Sequence, residues 1–395
     1  MKPLLTIFLD GLRFDSIECM PFLSSMPYKR KLKTLLGYSA TCHATMYTGV
    51  YPEKHLLWFI WMLSPQTSPF LKIKTFLKYE GLDNLVGRLL LHKLVEPTTN
   101  INAVFGLPRI VHLPLRYWAF MDVSEKKLWT DPGYLETYPT IFDILREEGV
   151  DFEVVGISRK FGYESEVVKA HKINKIYPWT YFFIGDVDHF SHRFGQDSEE
   201  GKKRLRTLDR LIEEKYIEFK KKVGEFNLII FSDHGHLKVK NRIDPYKFFK
   251  KKGENLNRFI HVIDINFIRF WFRNDRERTK IEKILIDLPG FILTDELQVK
   301  YHVKMPDNRY GDLIFYLDAP NIFSKTIWGF SRSEVSNHGY LPEYEESNGV
   351  FLSNFDLDEM GFKKDYVELT HILPLHLSLL GVKRTYEALH LYRRS

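Results

Sequence analysis

Apolar residues fall along this chain in two rhythms, one of strands and one of helices. Short apolar runs occur at Leu4–Leu9, Phe152–Ile157, Tyr181–Ile184 and Leu228–Phe231, and each meets Gly, Asp or Ser at or near its C-terminal end. Runs of that length with no polar alternation read as strands buried on both faces, the pattern of a parallel sheet. The second rhythm is helical. Leu205, Leu208, Ile212, Tyr216, Phe219 and Val223 recur at spacings of three and four with charges between them, which predicts an amphipathic helix covering one face of the sheet. Thr140 with Asp143 opens a helix over Ile141–Glu148 that Gly149 ends, and Val367–Leu380 predicts a closing helix despite Pro374. Strands and helices alternating in this way give an α/β protein, a three-layer α/β/α sandwich around a largely parallel central sheet.

The alternation breaks twice. From Leu56 to about Trp118 the chain carries Trp58, Trp61, Phe70, Phe76 and a helical run of Leu85, Leu89, Leu90 and Leu94, interrupted by Pro65, Pro69, Pro97, Pro108 and Pro114. Between about Asn241 and Tyr310 lie a strand-like Phe267–Phe272, a charged helix near Arg276–Asp287 and an apolar Phe291–Leu293, while Gly311–Leu317 reads as a return to the sheet. The expected organisation is one catalytic domain over residues 1–395, with a helical, aromatic-rich insertion at about 56–120 and a small α+β cap at about 241–310. The aromatic insertion has three readings: its own core, a lid over a greasy substrate, or a face resting on a membrane around Leu56–Leu71.

Composition narrows the class. Of 395 residues 44% are hydrophobic and 27% charged, the balance of a folded globular chain. Lys and Arg number 57 against 51 Asp and Glu, a net charge of +6 scattered over helices with no basic arm, so nucleic acid is excluded as the expected partner. Two cysteines, Cys19 and Cys42, build no disulfide framework and suit a reducing compartment. The opening apolar run of six residues is too short for a signal-peptide core, and no run reaches the roughly eighteen apolar residues of a spanning helix. The expectation is a cytoplasmic protein, with peripheral membrane contact left open.

Candidate chemistry gathers at the C-terminal ends of the predicted strands, where open α/β sheets bind ligands. Asp10 follows the first run, Asp188 and His192 follow the third, Asp233 and His234 follow the fourth, and His338 lies in a later loop. Three carboxylates and three imidazoles without thiolate form a donor set for a pair of divalent ions such as zinc, manganese or iron. Asp188 and His192, four apart, share one face of a helical turn. The stretch from Tyr38 to His55 reads as a loop entering a short helix that ends in a turn. A hydroxyl at the mouth of that helix is either an ordinary N-cap or a group held where backbone N–H donors and the helix dipole favour an anion.

These motifs together resemble the alkaline phosphatase superfamily, and within it the type I phosphodiesterase/nucleotide pyrophosphatase branch. The resemblance rests on Asp10-Gly11 after a first strand, the Ser39–His55 stretch ending Thr-Gly-Val-Tyr-Pro-Glu-Lys-His, Asp188-His189-Phe190-Ser191-His192, Ser232-Asp233-His234-Gly235 and Asn337-His338-Gly339-Tyr340. It covers residues 1 to about 55, about 120 to 240 and about 310 to 395, and leaves the two insertions uncovered. It implies an alkaline phosphatase-like fold in which Asp10, Asp233 and His234 hold one zinc together with Ser39, and Asp188, His192 and His338 hold the second. The register against His43 implies Ser39 as nucleophile, with Thr41 as its rival. The branch carries Thr at the nucleophile and Asn three residues later, whereas this chain has Ser39 and Cys42; serine is the habit of the superfamily's phosphomonoesterases and mutases.

The implied reaction is hydrolysis of a phosphate diester or pyrophosphate through a phosphoseryl intermediate, with a nucleotide or an activated, lipid-linked phosphate ester as the small-molecule substrate. A phosphomonoesterase or phosphomutase is the alternative within the superfamily. From other classes come a non-catalytic binding module on the same fold and a membrane-surface protein built around Leu56–Leu71. His189 and His236 lie beside the motifs and are candidates for supporting or substrate contacts.

Overall fold

The structure is a computed structural model that describes residues 2–95, 110–157, 162–330, 334–362 and 364–383. The chain divides into two compact units: Met1–His55, Trp129–Lys238 and Glu334–Ser395 form the first, Leu56–Leu128 and Val239–Ser333 the second.

The first unit is built on a seven-stranded sheet. In chain order its strands are β1 (Leu4–Leu9), β2 (Tyr28–Lys33), β3 (Phe152–Val155), β4 (Trp179–Ile184), β5 (Asn227–Phe231), β6 (Gly349–Ser353) and β7 (Tyr366–Glu368). They lie side by side in the order β7-β2-β6-β5-β1-β4-β3. All run parallel except β6, which is antiparallel to both of its neighbours. β1 sits between β4 and β5, with Leu9 opposite Ile184 and Phe8 opposite Phe231, so the three strands end level. The strand β2 carries no apolar run that the sequence pattern could flag: Tyr28–Lys33 is four-sixths basic, and only Leu32 is buried.

Alternate residues of the apolar strands face opposite layers. Leu5, Ile7, Leu9, Phe182, Ile184, Leu228 and Ile230 join one core with α3 (Asp186–Phe194) and α4 (Glu199–Val223), through Val187, Phe190, Leu205, Ile212 and Phe219. On the other face Phe8, Phe183, Tyr181 and Trp179 meet Tyr47 of α1 (Ser39–Thr48), Phe142 of α2 (Ile141–Glu147), Trp129 and His376 of α5 (Ile372–Leu379). The three layers are therefore helix, sheet and helix. The capping box of Thr140 and Asp143 forms as expected, and Gly49 closes α1 in a left-handed turn with φ of 69°. The expected helix over Val367–Leu380 begins instead as the edge strand β7, and Pro374 falls in the first turn of α5, where a missing N–H is tolerated.

The second unit has its own four-stranded antiparallel sheet, in the order Ile260–Ile263, Phe267–Trp271, Leu313–Leu317, Gly290–Ile292. Leu313–Leu317 therefore does not return to the central sheet, a correction to the sequence reading. Its apolar pattern marks a buried strand without specifying which sheet it joins. The helix Asp275–Leu285 packs Ile281, Ile284 and Leu285 onto this sheet. Among the described residues of 56–128 there is one α-helix, Leu85–Val95, with several short 3-10 helices and a strand pair, Trp61–Leu63 with Met121–Val123. Pro97 and Pro108 lie outside the described residues. Trp58, Phe59, Trp61, Phe70 and Trp118 are buried within the unit, Trp61, Phe70 and Trp118 in one core, while Phe76 is exposed. No helix among the described residues is long and apolar enough to cross a membrane.

Candidate active site

The level ends of β1, β4 and β5 put three acids side by side. Asp10 follows β1, Asp188 lies in the first turn of α3 after β4, and Asp233 follows β5; all three are buried. Gly11 is required here. Its φ is +79°, and a Cβ would come 3.0 Å from His236 Nε2 and 3.1 Å from the Asp188 backbone.

Ser39 is the first residue of α1, with Tyr38 as the extended N-cap residue making no side-chain cap bond. Ser39 is thus not the cap itself. Its Oγ lies 3.0 Å from His234 Nε2, at a helix mouth whose dipole is positive. Thr41, the rival, is fully buried two residues further into the helix. Cys42 is also fully buried, its Sγ 3.8 Å from Thr34 Oγ1, and burial pushes its thiol well above the ordinary range. It offers no amide or anion to a ligand.

The carboxylates and imidazoles fall into three overlapping groups. Ligand atoms of Asp10, Asp233 and His234 lie within 4.8 Å of one another, and so do those of Asp188, His234 and His338 and of Asp188, His192 and His236. His234 Nε2 is 3.3 Å from Asp10 Oδ1 and 3.7 Å from Asp233 Oδ2. Asp188 Oδ1 is 3.3 Å from His192 Nε2 and 3.4 Å from His338 Nε2. Donor atoms about 2.1 Å from a tetrahedral ion stand about 3.4 Å apart, so these spacings match edges of a coordination shell. All seven residues expected from the sequence stand in this one cluster, where the His234 and His338 rings stack at 4.0 Å and link its two halves.

Hydrogen bonding directs the imidazole lone pairs. His192 Nδ1 faces the Ser336 carbonyl at 3.2 Å and His234 Nδ1 the Gly235 carbonyl at 3.1 Å. Each Nδ1–H therefore donates outward, leaving Nε2 toward the acids to be completed by a proton or a metal ion. Charge balance points the same way. Burial alone would lower the pKa of His234, but the Asp233 and Asp10 carboxylates outweigh it and carry the imidazole up to about 10. Burial pushes Asp233 up to about 6, with His234 pulling against it, and raises Asp10 as well. Asp188 is also desolvated, yet the imidazoles of His192 and His338 hold it well below the usual carboxylate range. Asp10 Oδ1, Asp233 Oδ2 and His338 Nδ1 are buried without hydrogen-bond partners. Three carboxylates collected in a buried site are an unbalanced charge that divalent cations would satisfy, and the donor set fits such ions.

Two further histidines belong to the neighbourhood. His236 Nε2 bonds Asp188 Oδ1 at 2.8 Å, a hydrogen-bond length shorter than the coordination edges, and its Nδ1 lies 3.3 Å from Ser336 Oγ. Its sequence signal is the second histidine of Asp233-His234-Gly235-His236. His43 is buried between Phe8, Trp129 and Phe183, with Nε2 4.0 Å from Asp233 Oδ2, and burial lowers it to about 4. Sequence reasoning used His43 only for register, and one turn along the helix from Ser39 is the signal that would have found it. His189 is exposed on α3 and is not among the residues whose ligand atoms converge in the cluster.

Comparison with known proteins gives one family and one fold. A family model described as type I phosphodiesterase/nucleotide pyrophosphatase matches residues 4–341, a range containing every residue of the cluster. No curated protein matches the sequence. Among solved structures, human ectonucleotide pyrophosphatase/phosphodiesterase 5 superposes with a TM-score of 0.64 at 15% identity, over 98% of this chain and 96% of that one. The murine protein of that name, as an inactive variant in complex with AMP, gives 0.66 at 14% identity over the same shares.

Proposed function

Since the chain belongs to the type I phosphodiesterase/nucleotide pyrophosphatase family and is a hydrolase of that kind, we propose that it cleaves phosphate diesters or pyrophosphates at a two-metal centre, through a phosphoseryl intermediate on Ser39. Asp10, Asp233, His234 and Ser39 would hold one ion, and Asp188, His192 and His338 the other. Bound there, divalent ions, zinc in the first instance with manganese or iron as substitutes, neutralise phosphate charge and lower the pKa of a coordinated hydroxyl. The observation that carries this reading is Ser39 Oγ, at a helix mouth, 3.0 Å from an imidazole that itself stands 3.3 Å from Asp10.

The chain's own residues supply the rest. The N-terminal N–H groups of α1 and its dipole favour a phosphate oxygen beside Ser39. Ser39 Oγ gives up its proton to solvent and attacks phosphorus as the ester oxygen leaves with its bonding pair; water then attacks the phosphoserine, one of its protons restoring the departing Ser39 hydroxyl. Asp10, Asp188 and Asp233 keep the cluster anionic enough to retain cations in a desolvated place. For the substrate we take first a nucleotide ester or anhydride, the chemistry of the AMP held by the murine neighbour, with a lipid-linked phosphate ester as the other member of the class. The second unit, residues 56–128 and 239–333, we read as an elaboration carried by the catalytic fold. The two free thiols support a reducing, cytoplasmic setting.

One observation favours a second reading. Cys42 turns its thiol to Thr34 and contributes no amide to a phosphate oxygen, which suits a phosphomonoesterase or mutase. The test compares bis-(p-nitrophenyl) phosphate with p-nitrophenyl phosphate, alongside metal content, for the native chain and Ser39→Ala. The expected outcome is about two metals per chain, preference for the diester, and at least roughly a thousandfold loss in the variant with metal retained. A preference for the monoester establishes the second reading, and an active Ser39→Ala enzyme removes Ser39 as nucleophile.

A further inference from the structure

The helix Leu85–Val95 is apolar on both sides. Gly87, Leu91 and Val95 turn inward, and Leu91 and Val95 join a core with Trp61, Phe70 and Trp118. Its outer face carries Val86, Leu90 and Leu94, four residues apart along one stripe, exposed by 66%, 60% and 61%, with Leu85 beside them. Phe76 and Tyr79, 49% and 59% exposed, lie on either side of Leu77–Lys78 in the preceding 3-10 segment, whose Leu77 joins the same core. A helix with apolar side chains on its outer as well as its inner face is ordinarily covered on both. Isolated exposed leucines need no explanation, but a contiguous set over a shared core marks an interaction surface.

The charges around this patch choose the partner. Lys72, Lys74, Lys78 and Lys93 are all exposed within the same segment, against one exposed acid, Glu80, while Asp83 is engaged by Arg88 at 2.6 Å. Exposed aliphatic and aromatic side chains carried together with exposed lysines in one segment are the composition of a surface that settles into the headgroup layer of an anionic bilayer. A second copy of the chain would bring lysines against lysines. We propose that the face formed by Phe76, Tyr79, Val86, Leu90 and Leu94, with Lys74, Lys78 and Lys93, docks on anionic phospholipid. The membrane contact open in the sequence at Leu56–Leu71 thus moves along the chain, because Leu57, Trp58, Phe59 and Trp61 are spent in the core.

The test is co-sedimentation of the full chain with vesicles of phosphatidylcholine containing phosphatidylglycerol, and of phosphatidylcholine alone, at low and high salt. Two double variants accompany it, Val86→Glu/Leu90→Glu and Lys74→Glu/Lys78→Glu. The native chain should pellet with the anionic vesicles only, more weakly at high salt, and each variant should bind roughly tenfold more weakly. Hydrolysis of soluble bis-(p-nitrophenyl) phosphate should be equal in all three, which also shows that the variants fold. Failure to pellet, or binding that neither variant reduces, overturns the proposal. A native dimer that Val86→Glu/Leu90→Glu converts to monomer assigns the face to a second copy and likewise overturns it. The vesicle-binding and oligomer readouts do not depend on the nucleophile or substrate proposed above, so their failure is distinct from the failure of that reading.

Discussion

At the scale of single residues, Asp188 shows how the cluster is aimed. Its Oδ1 stands at coordination spacing from two imidazoles and takes a hydrogen bond from a third, His236, which fixes the carboxylate's orientation. His236→Ala should weaken metal binding by about 10–100-fold, the usual effect of removing a residue that orients a ligand. Metal titration of the stripped protein measures it, and unchanged affinity would mean that His236 merely fills space. On the far face of the sheet His376 does structural work. Trp179 Nε1–H donates to Thr6 Oγ1 at 3.0 Å, Thr6 to His376 Nε2 at 2.9 Å, and His376 Nδ1–H to the Ile372 carbonyl at 2.7 Å. Burial lowers this imidazole from 6.5 to about 4, so the folded protein keeps it neutral where the unfolded chain protonates it. Its contribution to stability is complete above pH 6.5 and declines as pH falls toward 4, by about 2 kcal/mol at pH 5. Urea unfolding at pH 7 and pH 5 should therefore show a smaller loss in His376→Gln than in the native chain.

Among elements, the clearest contrast is between α4 and β2. The helix was legible because Leu205, Leu208, Ile212 and Phe219 hold one buried stripe along a helix of 25 residues, and Ser198 caps its start while Gly224 ends it. Phe219 is fully buried and meets Phe226 edge-on at 4.9 Å. Phe219→Ala should cost about 3–5 kcal/mol in chemical denaturation, with turnover of the folded fraction preserved. The strand β2 was not legible, since Tyr28–Lys33 spreads its bases over both faces and depends on its neighbours for pairing and for partners. Arg30, for instance, donates to the carbonyls of Phe362 and Lys364. In the second unit a similar dependence appears as Arg269, fully buried, with its Nε 2.8 Å from Asp264 and its guanidinium 4.1 Å from the Phe59 ring. Arg269→Ala, which leaves Asp264 charged and alone, should destabilise by about 3–5 kcal/mol, whereas the joint change with Asp264→Ala should recover part of that loss.

Over the whole molecule, the site is a concentration of negative charge in a desolvated place, and metal should therefore act on stability as well as on turnover. Removing it with a chelator should lower the melting temperature, and restoring zinc at about a hundred times its dissociation constant should return about 2.7 kcal/mol. A melting temperature indifferent to chelation would remove the electrostatic argument for the centre. The inward aromatic residues and outward leucines of residues 56–95 are distinguished only in the folded chain. Sequence could count Trp58, Trp61, Leu90 and Leu94 as greasy without telling which of them a core consumes.

What the sequence by itself determined was the kind of fold and the identity of the chemical groups. Apolar runs of strand length, capped helices and acids or histidines after the strands are local facts, written in the order of residues and readable without neighbours. Tertiary structure decided what depends on residues far apart in the chain. It assigned Leu313–Leu317 to a second sheet, brought Asp10, Asp188 and Asp233 level through the register of three parallel strands, and left Ser39 rather than Thr41 beside His234. It also turned Cys42 away from the site and left the leucines of Leu85–Val95 facing outward. The physical reason is the same in each case: a side chain's type is set where it stands in sequence, but its burial, charge and partners are set by the segments that fold against it.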